Sequence, residues 1–350
     1  MKAGILYADR DIRLGELPDP QIGPDDVLLA STHAGICGTD LHVFRGEFHA
    51  RVKYPAVPGH EFGGIVQEVG RNVRGFRPGD RVVVDPIISC HACPACLIGH
   101  INACRTLKLL GIEWSGGFGQ FVSAPASHLY RLPDEVPLAH APMVEMYALG
   151  HHILQRGHVQ LGESVVILGA GKLGLSILDV LCHKAGANLT IITDYQPFRL
   201  ETARRLGADH VINIADEDPV GRVLDITEGV GADCVIEAVG HYHEFAEQEA
   251  PLAQAVKMIR NGGRVVTAGL GEQLSAVHFK TLVIKEAEII ATRVTCGEFP
   301  RAIRLMARGA LHPNLLITDQ IPLRDIGAAF AKVDGEDPAT IKVVLDVQQV

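Results

Sequence analysis

Two different rhythms of apolar residues divide the chain. Up to about residue 145, short β-branched runs such as VLLAS, GGIVQEVG and DRVVVD are set off by glycine and proline, with little helical periodicity. This pattern predicts an all-β region. From Ser164 onward the apolar runs SVVIL, NLTIIT, DHVINI, ADCVIE and GGRVVTAG alternate with longer stretches of helical spacing. That alternation predicts parallel βαβ units. From about Ile289 the strand-like IIATRV, the helical FPRAIRLMARG and the strand-like IKVVLDV follow. They could extend the parallel sheet or return to the first region, and periodicity alone leaves both open. A chain of 350 residues exceeds the roughly 250 at which single cores stop growing, so two domains are expected.

Composition narrows the class. Apolar residues are 47% and charged residues 21%, ordinary for a globular protein and unlike a disordered chain. The net charge is −9 and the basic residues are scattered, so no stripe exists to track phosphates and nucleic acid is not an expected partner. The segment MKAGILYADRDIRLGE meets charge at Asp9, Arg10 and Asp11, unlike a signal peptide. No apolar run approaches the roughly 20 residues of a membrane span. A cytoplasmic protein with no membrane partner is the expectation.

After the strand beginning at Ser164 comes Gly169-Ala170-Gly171-Lys172-Leu173-Gly174, opening a helix. The first glycine permits a tight turn, the second a close approach of backbone to a pyrophosphate, and the third close helix–strand packing. The helix N-terminus attracts the negative charge. The next strand ends at Asp194, where a carboxylate would accept hydrogen bonds from ribose hydroxyls and repel a 2′-phosphate. This favours NAD over NADP. Arg199 points the other way if it meets a 2′-phosphate, and is neutral if it pairs with Asp194 or lines the adenine pocket.

Eight cysteines are present, four of them between Cys90 and Cys104, a crowding that favours a metal over disulfides. Cys90, Cys93, Cys96 and Cys104 follow C-x2-C-x2-C-x7-C, which lets one loop wrap a zinc ion tetrahedrally in a closed, structural site. An iron–sulfur cluster fits less well, because its usual run has three residues before a fourth cysteine followed by proline. Two further segments hold what a catalytic metal needs: GICGTDLH, with Cys37, Thr39 and His42, and PGHEFGG, with His60 and Glu61. A thiolate and an imidazole suit zinc, and a catalytic site takes three protein ligands and leaves one position open. Glu145, a carboxylate inside the apolar stretch APMVEMYALGHH, is the candidate third ligand.

Taken in order, GHEFGGIVQEVGRNV, PGDRVVV, the four-cysteine lobe and VVILGAGKLG span essentially the whole chain. They resemble the zinc-containing medium-chain dehydrogenases. CGTDLH and Glu145 resemble the polyol, butanediol and L-threonine dehydrogenase branch, although Met146 stands where that branch commonly has proline. The resemblance implies an α/β protein with a GroES-like β-rich catalytic domain at 1–149 and 287–350, a zinc lobe near 86–111 and a Rossmann domain at 150–286. It also implies that Thr39 and His42 relay the alcohol proton past the cofactor ribose. Glu61 is expected behind the metal or in place of water on it. Val239, Gly240, Ala268, Leu270 and Thr292 are expected to line the cofactor. Phe44, Glu47, Trp114 and Arg293 are expected to line the substrate cleft.

The function implied is NAD-linked oxidation of a secondary alcohol, with a polyol or sugar-derived alcohol as substrate, by a homo-oligomer for which a tetramer is favoured over a dimer. L-Threonine 3-dehydrogenase is the nearest rival. A zinc-stabilised, NAD-binding protein without chemistry is the alternative of another class, against which the set of Cys37, Thr39, His42, His60 and Glu145 argues. A zinc-free quinone reductase would need neither Cys37 nor the lobe.

Overall fold

A computed structural model of the chain describes residues 1–47, 50–184, 186–240, 249–271, 274–335 and 337–350. They form two compact units, Met1–Ala148 with Thr295–Val350, and Leu149–Val294.

The first unit is built on the long strand Asp26–Gly35, whose apolar length DVLLASTHAG leaves few positions for solvent. It pairs antiparallel with Glu61–Val69, with Gly35 opposite Glu61, and with Lys342–Asp346, with Val344 opposite Gly35. Ile317–Pro322, Arg81–Val84, Leu129–Arg131 and Phe121–Pro125 complete the sheet. Phe62, Val66, Val82, Phe118 and Phe330 are buried in this unit. The run IKVVLDV therefore does return to the first region. So does the helix Phe299–Ala307, which buries Phe299, Ala302, Ile303 and Met306 at the spacing of one helical face.

The all-β expectation for the first 145 residues misses one element that matters. Gly38–Phe44 is an α-helix, started where the Asp40 carboxylate reaches back to accept the Cys37 N–H at 2.8 Å. A seven-residue helix is too short to leave a periodic signature; its cap is its signal.

The second unit is a six-stranded parallel sheet in the order His210–Asn213, Leu189–Asp194, Ser164–Leu168, Ala232–Glu237, Ile259–Thr267, Glu288–Ala291. Chain order reverses between Ser164–Leu168 and Ala232–Glu237, the switch point at which open α/β sheets bind their ligands. Val166, Leu168, Ile191, Val235 and Val265 form its core. The change of domain expected at 287 comes later. Ile289 and Ile290 pair with Val265 and Val266, so IIATRV extends the parallel sheet and the unit ends at Val294. The physical reason is the open edge of Ile259–Thr267, which this strand covers. Among the described residues no helix is long and apolar enough to cross a membrane.

Candidate functional site

The turn after Gly35 and the start of the strand at Glu61 lie side by side because their strands pair at Gly35 and Glu61. This register brings Cys37, His60 and Glu61 together, with one ligand-capable atom from each within 4.8 Å of the others. Asp40, fully buried, ties the two segments: one carboxylate oxygen accepts the Cys37 N–H at 2.8 Å, and the other accepts the Gly59 N–H at 3.2 Å and stands 3.4 Å from His60 Nδ1. A carboxylate behind a ligating histidine fixes its tautomer and raises its basicity. Burial alone would pull the His60 imidazole down, but the charges of Asp40 and Cys37 outweigh it and hold it well above its usual range. Glu61 is completely buried, and its Oε1 has no hydrogen-bond partner among the described residues. A half-buried thiol beside a buried imidazole and a buried carboxylate with an orphaned oxygen suits a zinc ion.

Glu145, at the start of the helix Met143–Arg156, stays outside that trio. It is buried nearby: burial first, then the charge of Glu61, pushes its carboxyl up to about 7, with His60 pulling the other way. Thr39 and His42 lie on the Gly38–Phe44 helix, and His42 Nδ1 is bonded to the Glu47 carboxylate. The same helix buries Phe44, whose ring lies 5.1 Å from that of Phe330. Trp114 is half exposed, with Lys108 Nζ 5.0 Å from its ring. Arg293 is exposed in the other unit, two residues past the strand Glu288–Ala291. Phe44 and Glu47 thus sit on or beside the helix of Thr39 and His42, whereas Trp114 and Arg293 come from other segments.

Cys90, Cys93, Cys96 and Cys104 also converge within 4.8 Å. The Cys93 N–H donates to Cys90 Sγ and the Cys90 N–H to Cys104 Sγ, both at 3.3 Å. N–H donors from Ala92 and Cys93 draw the Cys90 thiol down to about 6, while burial pushes Cys96 up to about 12. Binding one cation would deprotonate all four.

In the second unit Gly169 takes φ +93°, and a Cβ on Gly174 would lie 1.8 Å from the Gly169 carbonyl oxygen. Only glycine lets the helix Lys172–Lys184 start against that turn; Lys172 and Leu173 open it. Asp194 accepts the Ala170 N–H and the Gln196 N–H, each at 2.8 Å, which fixes its carboxylate beside the glycine turn. Arg199 Nε is buried without a hydrogen-bond partner among the described residues. Glu237 accepts from the N–H groups of Val239 and Gly240 at 2.8 and 2.9 Å. Its own carbonyl accepts from Ala268 at 2.8 Å, and the Thr292 N–H donates to Thr267 at 3.0 Å. Leu270 is exposed, its backbone against Gly240. The expected cofactor residues thus gather at the C-terminal ends of neighbouring strands.

Sequence reasoning passed over Asp40, Gly35 and Lys342. Asp40 had a signal in CGTD, an acid three residues past a candidate ligand. Lys342 had one in IKVVLDV, a cation heading an apolar strand. Its ammonium is completely buried and paired with Glu61; burial would lower its pKa, and the charge of Glu61 instead raises it.

Known proteins are similar to this chain in sequence and fold. Residues 23–134 match the alcohol dehydrogenase GroES-like domain and residues 173–308 the zinc-binding dehydrogenase domain. Sorbitol dehydrogenase of Bacillus subtilis is 32% identical, over 95% of this chain and 93% of its own. L-Threonine 3-dehydrogenase of Bacillus velezensis is 33% identical, over 91% and 90%. The solved structure of an Escherichia coli alcohol dehydrogenase complexed with cofactor NADH matches with a TM-score of 0.90 at 30% identity, over 99% of both chains. With both domains matched and relatives aligned over nine-tenths of their length, the chain belongs to the zinc-dependent medium-chain alcohol dehydrogenase family and is an oxidoreductase acting on CH–OH donors.

Proposed function

We propose that this enzyme oxidises a secondary alcohol, a polyol or a sugar-derived alcohol, to the ketone, passing hydride to NAD. The observation that carries the reading is the convergence of half-buried Cys37 with buried His60 and Glu61, with Asp40 behind them. Cys37 and His60 would hold a catalytic zinc, with Glu145 or Glu61 as the third protein ligand. Cys90, Cys93, Cys96 and Cys104 would hold a structural one. Zinc at the first site supplies a Lewis acid that lowers the pKa of an alcohol hydroxyl toward neutrality.

The protein's own groups do the rest. The hydroxyl proton leaves through Thr39 and His42 to solvent, and the Glu47 carboxylate bonded to His42 Nδ1 orients the imidazole. The carbon-bound hydrogen leaves as hydride to NAD, so the products are ketone, NADH and one proton. Asp194, turned into the glycine loop, favours an unphosphorylated ribose, and Gly169, Gly171 and Gly174 admit the pyrophosphate. Phe44, Glu47, Trp114 and Arg293 are the proposed substrate contacts. The assembly proposed is a homotetramer in the cytoplasm. The edge strand Glu288–Ala291 and the exposed Phe279, Val283 and Ile284 on the helix Phe279–Lys285 support an interface between copies.

The test is NAD and NADP reduction at 340 nm against polyols, 2,3-butanediol, L-threonine and simple alcohols, with zinc measured on the same sample. Turnover of a polyol with NAD at about two zincs per chain is expected. Preference for L-threonine would select the second reading, favoured by the relative of that name. No turnover at full zinc content would favour a non-catalytic NAD-binding protein.

A further inference from the structure

The loop that follows the four-cysteine lobe lies directly on the segment that delivers His60. A Cβ on Gly111 would stand 2.8 Å from the Gly59 carbonyl carbon, and one on Gly116 only 2.1 Å from the Gly59 oxygen. The Gly117 N–H donates to that oxygen at 2.7 Å, and the Gly116 N–H to the Val57 carbonyl at 2.8 Å. Between these contacts the chain turns: Gly111 takes φ +87°, and its N–H donates to the Trp114 carbonyl at 2.8 Å. Backbone resting on backbone at glycine thus roots the turn of Trp114, the only tryptophan of the chain, beside the residue before a candidate metal ligand. The turn is also tied sideways. Arg51 meets Glu113 through two parallel bonds, Nε to Oε1 at 2.7 Å and Nη2 to Oε2 at 3.1 Å, and Oε2 accepts the Leu109 N–H at 2.7 Å as well. Exposed ion pairs contribute little, but these side chains are 33% and 18% exposed, and a forked pair with a further donor on its carboxylate permits one geometry. Arg51 lies just past Glu47, whose carboxylate is bonded to His42 Nδ1 and whose N–H donates to the His42 carbonyl at 2.9 Å. The pair therefore joins the two segments that carry Glu47 and Trp114.

We propose that Arg51 and Glu113 are positioning residues for the substrate: paired, they hold the Trp114 turn and the Glu47 segment at one spacing, and that spacing sets how long an alcohol the site favours. The inference rests on the reading that Cys37 and His60 hold the catalytic metal and that Glu47 and Trp114 meet the substrate. A short alcohol gains its binding at the metal and the carbons beside it. A longer polyol has carbons and hydroxyls to spare, and an indole offers apolar surface to the first and an N–H to the second. Trp114 is 43% exposed, and Lys108 Nζ, 5.0 Å from its ring, is a further donor there. A contact remote from the reacting carbon strengthens ground state and transition state alike, so it lowers KM and leaves kcat unchanged. Without the pair, the turn keeps its root on Gly59 and loses its lateral tie, and the contact with a long substrate weakens first.

The experiment uses full-length, zinc-loaded protein as wild type, E113Q, R51M and the double variant R51M/E113Q. Acrylamide quenching of tryptophan fluorescence reports Trp114 alone, and KM and kcat are measured at saturating NAD for the short 2,3-butanediol and the longer sorbitol. E113Q keeps an oxygen for the Leu109 N–H and removes the charge that Arg51 meets. Each variant is expected to raise the quenching constant by about twofold. KM for sorbitol is expected to rise by about fivefold, with kcat for both alcohols and KM for 2,3-butanediol within about twofold of wild type. The double variant is expected to match the single ones, because one pair is broken once. Unchanged quenching in a folded variant overturns the inference. So does a rise in KM that is equal for the two alcohols, or a loss of kcat, since a merely structural pair would act on both substrates alike. E113Q, the smaller change in shape, decides the matter if R51M does not fold. Wild type that turns over neither alcohol at full zinc content fails the underlying reading and the inference with it, a result seen without any variant and so distinct from the others.

Discussion

The two metal-ligating clusters of the first unit are built in opposite ways. The four-cysteine lobe draws every thiol from one loop between Cys90 and Cys104, and its cysteines run from exposed to buried. The other cluster takes Cys37 from the turn after one strand, His60 and Glu61 from the start of the next, and its flanking charges from Glu145 and Lys342. His60, Glu61, Glu145 and Lys342 are all at most 6% exposed. A lobe closed by its own loop can bind a cation whatever the rest of the sheet does, and it serves stability. A site assembled from strand ends exists only when the sheet has its register, and its groups are desolvated and mutually charged. That is the setting in which pKa values move and chemistry is done.

Substitutions in the two clusters should therefore fail differently. The largest effect is expected for Cys37→Ser. It should lower kcat/KM by about a thousandfold or more, since a positioned Lewis acid is worth several kcal/mol. Metal analysis should find one zinc lost per chain, and far-UV circular dichroism should be unchanged. Retained turnover would remove Cys37 from the chemistry.

Asp40→Asn comes next. The amide still accepts the Cys37 N–H but no longer supports His60 with a charge, so metal affinity or kcat should fall by about 10–100-fold. Titration with a competing chelator and steady-state kinetics would measure this. A loss confined to thermal stability would reduce Asp40 to a helix cap.

The smallest effect on turnover is expected for Cys104→Ser in the lobe. It should also cost one zinc per chain. Here kcat per folded molecule should stay within about twofold while Tm falls by about 10 °C. Calorimetry and active-site titration on the same sample separate the two. A collapse of kcat with unchanged Tm would break the distinction between the clusters.

The sequence was most legible where chemistry is local. The lobe could be read from spacing alone, and so could the glycine turn followed by Asp194, because ligands within one loop or one βαβ unit keep a fixed spacing on the chain. The helix Phe299–Ala307 was legible from its apolar face. The helix Gly38–Phe44 was not, being set by one capping carboxylate rather than by periodicity. The strand Glu288–Ala291 was ambiguous because an edge strand exposed on most of its residues carries no apolar alternation that says which sheet it joins.

What the amino-acid sequence determined by itself, then, is the alternation of elements, the two-domain plan, the closed zinc lobe and the types of residue available for catalysis. What the tertiary structure alone decided is which of those residues meet. Glu61 joined Cys37 and His60 while Glu145 stayed just outside, and Asp40 and Lys342 entered the site without having been singled out. The reason is that strand register is a long-range property. Gly35 opposite Glu61, and Val344 opposite Gly35, are pairings between segments far apart in the chain, fixed by packing of the whole sheet. A shift of one residue would turn the same side chains to the other face.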